Sequence, residues 1–250
     1  MEIIDDGLNL IQNLSEKKVV IFGGTGSVGE GILRSYLKSN ALIIIPSRSE
    51  KSKNNLLEIL GKDGETENLK FIISDYSSFE GAEKTAQLIE QDYGKIDTVI
   101  ACVGGWWSGG PIFKVTEESW NNQFIGLATT HMALAKAWIS RLDKNGSYQI
   151  ITGGSGRHAV EGSGIVSMQQ ASLIMMAEAL GLEAKENRVF AFVLGVVNSR
   201  NRPAHKSYWI TAEQVGMVST ILAKDINLTS QTIDLKDKAA LPDVINKLKA

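Results

Sequence analysis

The chain has 250 residues, 43% apolar and 22% charged, and its 26 basic and 28 acidic side chains give a formal charge of -2. That length and composition suit a globular α/β chain able to bury its own core, and the even balance gives no reason to expect nucleic acid or an anionic membrane as partner. Cys102 is the lone cysteine, which excludes an internal disulfide and fits a cytoplasmic setting, and with three histidines it forms no metal-ligand pattern, so no metal is expected.

No apolar run approaches the ~18–20 residues of a transmembrane helix. Asp5 and Asp6 stand where a signal peptide would be basic. The spacing of Ile4, Leu8, Ile11 and Leu14 is helical and predicts a leader helix over 1–16. "KVVIFGG" (18–24) then reads as a buried strand, and "VGEGILRSYLKS" as a helix with Ile32, Leu33, Tyr36 and Leu37 on one face. A second strand, "ALIIIP" (41–46), is expected to stop at Pro46. Next come a helix over 51–60, strand 69–74, helix 79–93 and strand 97–103. After a Gly/Trp loop the pattern predicts one long helix over 117–141, strand 148–152, helix 166–185, strand 188–194, helix 212–224 and strand 231–235. A tail helix over 240–250 closes the chain. Strands apolar on both faces need helices above and below. The alternation therefore predicts one domain over 1–250, an α/β Rossmann-type doubly wound parallel sheet of about seven strands.

"IFGGTGSVGEGIL" (21–33) sets Gly23, Gly26 and Gly29 between the first strand and its helix, with Thr25, Ser27 and Val28 in the turn. Glycines there allow a tight turn and let backbone N–H groups approach a pyrophosphate at the helix N-terminus. An acid after the second strand would pair with the ribose hydroxyls of NAD. This chain has Ser47 and Arg48 instead, and a guanidinium suits a 2′-phosphate, which favours NADP(H) over NAD(H). The bland alternative leaves Arg48 and Lys51 as solvated loop charges.

In order and spacing these segments resemble the short-chain dehydrogenase/reductase family over nearly the whole chain. The glycine loop has the G-x-x-G-x-x-G spacing of its extended and atypical members. "SDYSS" (74–78) is similar to the family's acid after the third strand, which implies that Asp75 and Tyr76 border an adenine. "GKIDTVIACVGG" (94–105) resembles the family's fourth-strand motif, with Val103 and Gly104 at the cofactor and Ala101 and Cys102 replacing its asparagines. "LGVVNS" (194–199) resembles the segment beside the nicotinamide and brings Gly195, Val197 and Ser199 there, with Leu194 for the usual proline.

The departures fall on the chemistry. Against the family's pattern, "GIVSMQQASL" (164–173) puts Val166 at the catalytic tyrosine and Gln170 at the catalytic lysine. The serine position falls in "TGGS" (152–155), on Gly153 or Gly154 with Ser155 slightly out of register, and the helix asparagine falls near Leu127. Valine cannot donate a proton, and glutamine carries no charge to lower a phenol's pKa. Replacement donors are sought in "GGSGRHAVEGSG" (153–164): Ser155 could polarise a substrate oxygen and His158 could deliver a proton, the alternatives being a small turn residue for Ser155 and an exposed loop histidine with no role for His158. Arg157 and Glu161 share that loop. Trp106 and Trp107 in "GGWWSGGP" (104–111) are expected to stack on a flat substrate, or else to pack as ordinary apolar rings. The Met-rich run in 173–182 is read as core or subunit contact, in keeping with a homodimer or homotetramer, and His131 and Tyr148 as structural.

Three functions stay open on these residues. One is an NADP(H)-dependent oxidoreductase acting on a small molecule with an activated C=C or C=N bond. The second is a non-catalytic NADP(H)-binding sensor. The third is a cyclase or isomerase that reuses the fold without redox chemistry.

Overall fold

Four of the five residues of β1 (Lys18–Phe22) are fully buried, so this strand needs cover on both faces. The computed structural model, which describes residues 8–249, supplies it. The further strands are β2 (Leu42–Ser47), β3 (Leu69–Ile73), β4 (Ile96–Ala101), β5 (Leu142–Gly153), β6 (Arg188–Leu194), β7 (Val197–Asn198), β8 (Ile210–Thr211) and β9 (Gln231–Leu235). Seven of them form one parallel sheet in the order β3-β2-β1-β4-β5-β6-β9, the doubly wound architecture expected.

The helices are α1 (Ser27–Lys38), α2 (Glu50–Leu60), α3 (Phe79–Tyr93), α4 (Glu117–Trp120), α5 (Gly126–Trp138), α6 (Gly164–Glu183), α7 (Ala212–Lys224) and α8 (Leu241–Lys249). One core joins the sheet to α1, α2, α7 and α8 through Ile32, Leu33, Leu56, Val215, Val218 and Ile245. The other face is filled from α3, α5 and α6 by Ala82, Ala86, Leu134, Trp138, Leu173 and Ala177. Small residues let α1 and α7 approach closely: a Cβ on Gly31 would stand 2.3 Å from the Ala212 Cβ. Between them Tyr36 and Ser219 share a buried hydrogen bond of 2.8 Å.

Several boundaries differ from expectation, each for a physical reason. The expected leader helix falls partly outside the described residues; within them only Leu8–Leu10 forms a 3-10 turn, and Leu14 is pinned through its N–H to the Ser39 carbonyl at 2.7 Å. Pro46 does not end β2. The N–H of Leu42 points to Lys17 and that of Ile43 to Asn68, so an even-numbered residue turns its nitrogen toward β1, whose pairing stops at Ile44. The donor that Pro46 lacks therefore has no partner to lose.

The long helix expected over 117–141 is interrupted by a π-helical turn at Asn121–Ile125, a feature common where a helix borders a site. β5 starts at Leu142 because the turn-like "DKNG" is a bulge, with Asn145 at φ +61° and a register shift opposite Ile96–Thr98. β7 and β8 were not anticipated; two residues each, they pair only with one another. Against expectation, α6 is long and apolar enough to cross a membrane by length and composition. It packs on β5 and β6 with Ile165, Val166, Leu173 and Ile174 buried, while Met175 and Leu182 stay 62% and 76% exposed.

Candidate functional site

The strand order reverses between β1 and β4, and at such a switch point the carboxyl ends of the strands open a crevice. The glycine loop lies on its floor. Gly23 takes φ +76°, and a Cβ there would stand 2.1 Å from the Cys102 carbonyl oxygen, so no other residue fits. A Cβ on Gly29 would collide with the Gly23 carbonyl at 2.2 Å. Gly26 caps α1 in an extended conformation without a side-chain bond, so no oxygen of its own meets the N–H groups of Ser27, Val28 and Gly29. Those first-turn donors, at the positive end of a 12-residue helix, form an anion cradle.

Beside the cradle lies a cavity of about 550 Å³, whose lining includes Arg48, Tyr76, Val103, Gly104, Asn121 and Thr130. The π-helical turn brings Asn121, Asn122 and Gln123 to its wall. Arg48 is exposed, and among the described residues it has no hydrogen-bond or ion-pair partner. Ser47 beside it is turned away, buried and donating to the Ser49 carbonyl at 2.9 Å. Ser77 donates its N–H to Asp75 at 3.0 Å; its hydroxyl and N–H, with Arg48 nearby, hold the Asp75 carboxyl below the ordinary range. Tyr76 is buried edge-on to Phe22, with ring centroids 4.9 Å apart. Burial raises its phenol pKa, offset in part by Arg48 and the Gly23 N–H.

His131 shapes the same wall. Its Nε2 lies 2.8 Å from the Val103 carbonyl oxygen, which can only accept, so Nε2 carries the hydrogen. Burial lowers its pKa to about 4, and Nδ1 has no hydrogen-bond partner among the described residues. His131 is structural, as expected: from α5 it reaches the loop at the carboxyl edge of β4 and fixes the backbone that leads to Gly104.

At the positions where the family resemblance sets catalytic groups, Val166 is buried and Gln170 is turned to the backbone. Gln170 Oε1 accepts from the Gly153 N–H at 2.6 Å, and its Nε2 donates to Gln169 at 2.8 Å. Ser155 sits in the 3-10 turn Gly154–Gly156. Gly156 lets that turn rest on α6, since a Cβ there would stand 2.7 Å from the Gln170 carbonyl carbon. His158 is exposed on the same loop, and no hydrogen bond joins its ring to Ser155 among the described residues. Arg157 is drawn to the far edge of the sheet, 3.3 Å from Asp234 of β9.

The two tryptophans part company. Trp106 is 60% exposed, whereas Trp107 is half-buried and folds over Gly109, where a Cβ would stand 2.0 Å from its ring. Neither lines the 550 Å³ cavity. Their loop is clasped to the loop after β5: the Gly162 carbonyl accepts from the N–H groups of Gly109 and Gly110 at 2.9 and 3.3 Å and from the Ser108 hydroxyl at 3.2 Å.

After β6, Gly195 is demanded by packing, because a Cβ would stand 1.8 Å from the Lys236 carbonyl oxygen. Val197 pairs with Ile210, and the Ser199 carbonyl accepts from the Arg202 N–H at 2.9 Å. Arg200, which sequence reasoning passed over, reaches back across the glycine loop. It donates to the Thr25 carbonyl at 3.0 Å and lies 3.6 Å from the buried Glu30. A second cavity of about 560 Å³ lies there, lined by Thr25, Ser52, Asn55, Glu58, Ile59 and Arg200. Its one advance signal was an arginine next to Ser199, at the start of a basic stretch.

Comparison with known proteins agrees with this geometry. The chain is 24% identical over 188 residues to dehydrogenase/reductase SDR family member 4 of Caenorhabditis elegans, covering 74% of this chain and 72% of that one. Its fold superposes with a TM-score of 0.78 on the NADPH-bound short chain oxidoreductase of Pseudomonas aeruginosa PAO1, described as containing an atypical catalytic center, at 16% identity over 90% of this chain and 96% of that one. An alcohol dehydrogenase of Thermococcus sibiricus complexed with 5-hydroxy-NADP gives a TM-score of 0.77 at 17% identity, covering 88% and 96%. Residues 17–207, from the first strand to the loop after Arg200, match the short chain dehydrogenase family, and the chain belongs to it.

Proposed function

We propose that this chain is an NADP(H)-dependent oxidoreductase whose substrate, a small molecule with an activated C=C or C=N bond, accepts hydride without a strong acid at oxygen. The observation that carries the reading is the pairing of an open anion cradle with a catalytic position closed by Gln170. The N–H groups of Ser27, Val28 and Gly29 would hold a pyrophosphate. Arg48, which makes no hydrogen bond or ion pair among the described residues and stands at the cavity that Tyr76, Val103 and Gly104 also line, would hold a 2′-phosphate over an adenine bordered by Asp75 and Tyr76.

NADPH, when bound, supplies hydride. Val166 offers no proton and Gln170 no positive charge, so the family's route for simple ketones lacks its general acid, a loss of roughly 10²–10⁴ in rate. Ser155 orients a polar group of the substrate, and the proton comes from solvent or from the exposed His158. The exposed Met168, Met175 and Leu182, on a helix whose opposite face is core, support a subunit contact through α6, in a homodimer or homotetramer. A free Cys102 supports a cytoplasmic location.

A second reading, a sensor of the NADPH/NADP⁺ balance, is favoured by the Gln170–Gly153 bond itself, because it commits the side chain at the catalytic position to the backbone. Rapid mixing of the protein and NADPH with conjugated carbonyl and imine acceptors, followed at 340 nm, separates the two. Oxidation with such acceptors but not with simple ketones supports the enzyme. No oxidation with any acceptor, together with unequal affinities for NADPH and NADP⁺, supports the sensor.

A further inference from the structure

The segment between β7 and α7, "SRNRPAHKSYW" (199–209), contains Arg200, Arg202, His205 and Lys206 and no acidic residue. The -2 charge of the whole chain makes this local excess stand out. It is also held in shape. Asn198 donates to the carbonyls of Lys206 and Trp209 at 2.8 and 3.3 Å and accepts from the Lys206 N–H at 3.2 Å. The His205 ring lies 3.1 Å from the Ser199 carbonyl oxygen, and Tyr208 is tied through its carbonyl to the Lys238 N–H at 2.9 Å.

Within this frame two cations converge on one ring. The Arg202 guanidinium lies 5.3 Å and the Lys206 ammonium 5.2 Å from the centroid of Trp209. Lys206 is also 5.7 Å from the Tyr208 ring. Each contact is in cation–π range, yet two like charges brought to one indole repel. Neither has a carboxylate partner among the described residues, whereas Arg200 is matched by Glu30. Surface cations with no task extend into water, where their hydration is complete. Here both side chains, though exposed, lie over the indole, so part of the ordering cost of binding is met in advance. An anion between them would remove the repulsion.

The location points to a ligand of the cleft. Arg200, at the start of the loop, bonds to Thr25 in the glycine loop, so the basic segment stands at the same sheet edge as the anion cradle. We propose that the 199–209 loop is an anion-recognition site in which Arg202 and Lys206, held on Trp209, take a phosphate or carboxylate group of the substrate. This rests on the reading that a small molecule reacts in the cleft, and it adds that the molecule is anionic at the end facing the loop.

The test titrates inorganic pyrophosphate, and separately succinate, into NADPH-saturated protein by calorimetry, with the glycine loop thereby filled. Wild type is expected to bind at least one probe saturably, R202Q/K206Q at least tenfold more weakly, and Trp209→Ala several-fold more weakly with partial recovery in Trp209→Phe. NADPH affinity should stay within twofold throughout. Tighter pyrophosphate assigns a phosphate-bearing substrate, and tighter succinate a carboxylate. If NADPH does not bind, the cofactor reading fails but the site does not: the same comparison is made on the free protein. Equal probe affinity in wild type and R202Q/K206Q, no saturable binding of either probe, or a parallel loss of NADPH affinity would overturn the proposal.

Discussion

Gln170 Oε1 accepts a hydrogen bond from the backbone N–H of Gly153 at 2.6 Å, tying α6 to the last residue of β5. The side chain at this position therefore serves as an acceptor, a task no ammonium can perform. Gln170→Lys should lower stability by about 1–3 kcal/mol, the usual effect of orphaning a partly buried donor, and should not bring ketone reduction, since Val166 still has no proton to give. The midpoint of urea unfolding and a ketone assay at 340 nm check both halves.

His131 gives a pH dependence of known sign. Its folded pKa of about 4 lies below the ordinary 6.5, so the unfolded chain binds the extra proton first. The contribution is complete above pH 6.5 and is lost as pH falls toward 4. Protonation would give the buried Nδ1 a hydrogen with no acceptor. The span corresponds to roughly 3 kcal/mol. Subtracting the stability of His131→Leu from that of wild type at each pH should give a curve that falls over this window. A difference that does not change with pH would remove the assignment.

Arg48 stands at the edge of the 550 Å³ cavity with no hydrogen bond or ion pair among the described residues. If it receives a 2′-phosphate, Arg48→Ala should weaken NADPH by about 10-fold or more, in line with loss of a charge-assisted bond of roughly 1.5–3 kcal/mol. NADH, without that phosphate, should change less than twofold. Parallel fluorescence titrations of the two cofactors read the ratio, and an unchanged ratio would make Arg48 a solvated charge.

On α6, Met175 and Leu182 expose apolar surface on a helix whose other side is core. Replacing both with Glu should leave the monomer folded, because neither is buried within the chain, and, if the proposed subunit contact forms through α6, should lower the mass in solution to that of one chain. Light scattering of the double variant beside wild type checks the mass; equal masses would place the subunit contact elsewhere or nowhere.

Much of the fold was legible because strand and helix periods are local. The ends of α3, α7, β6 and β9 coincide with the sequence pattern, since each runs between a cap or glycine and a change of period. The glycine loop was legible for the same reason: its residues are adjacent and their backbone needs are individual. What escaped depends on contacts between distant segments. β7 and β8 are two residues long and exist only by pairing across the 11 intervening residues 199–209, beyond any period. The π-helical turn leaves the apolar spacing of 117–141 intact. The bonds from His131 to Val103, Arg200 to Thr25 and Gln170 to Gly153 join side chains to backbone carbonyls and N–H groups that every residue has. Nothing in the partner's identity announces them. Trp107 was legible as a large ring on a glycine loop, but not as one folded onto Gly109 rather than toward the cavity.

The central claim is that nucleotide capture is intact beside a catalytic position that can no longer deliver a proton. Calorimetric titration of NADPH into the wild-type protein tests it most directly. One molecule should bind per chain, saturably and at least tenfold more tightly than NADH. No heat from any nicotinamide dinucleotide, or equal affinity for the phosphorylated and unphosphorylated forms, would contradict it.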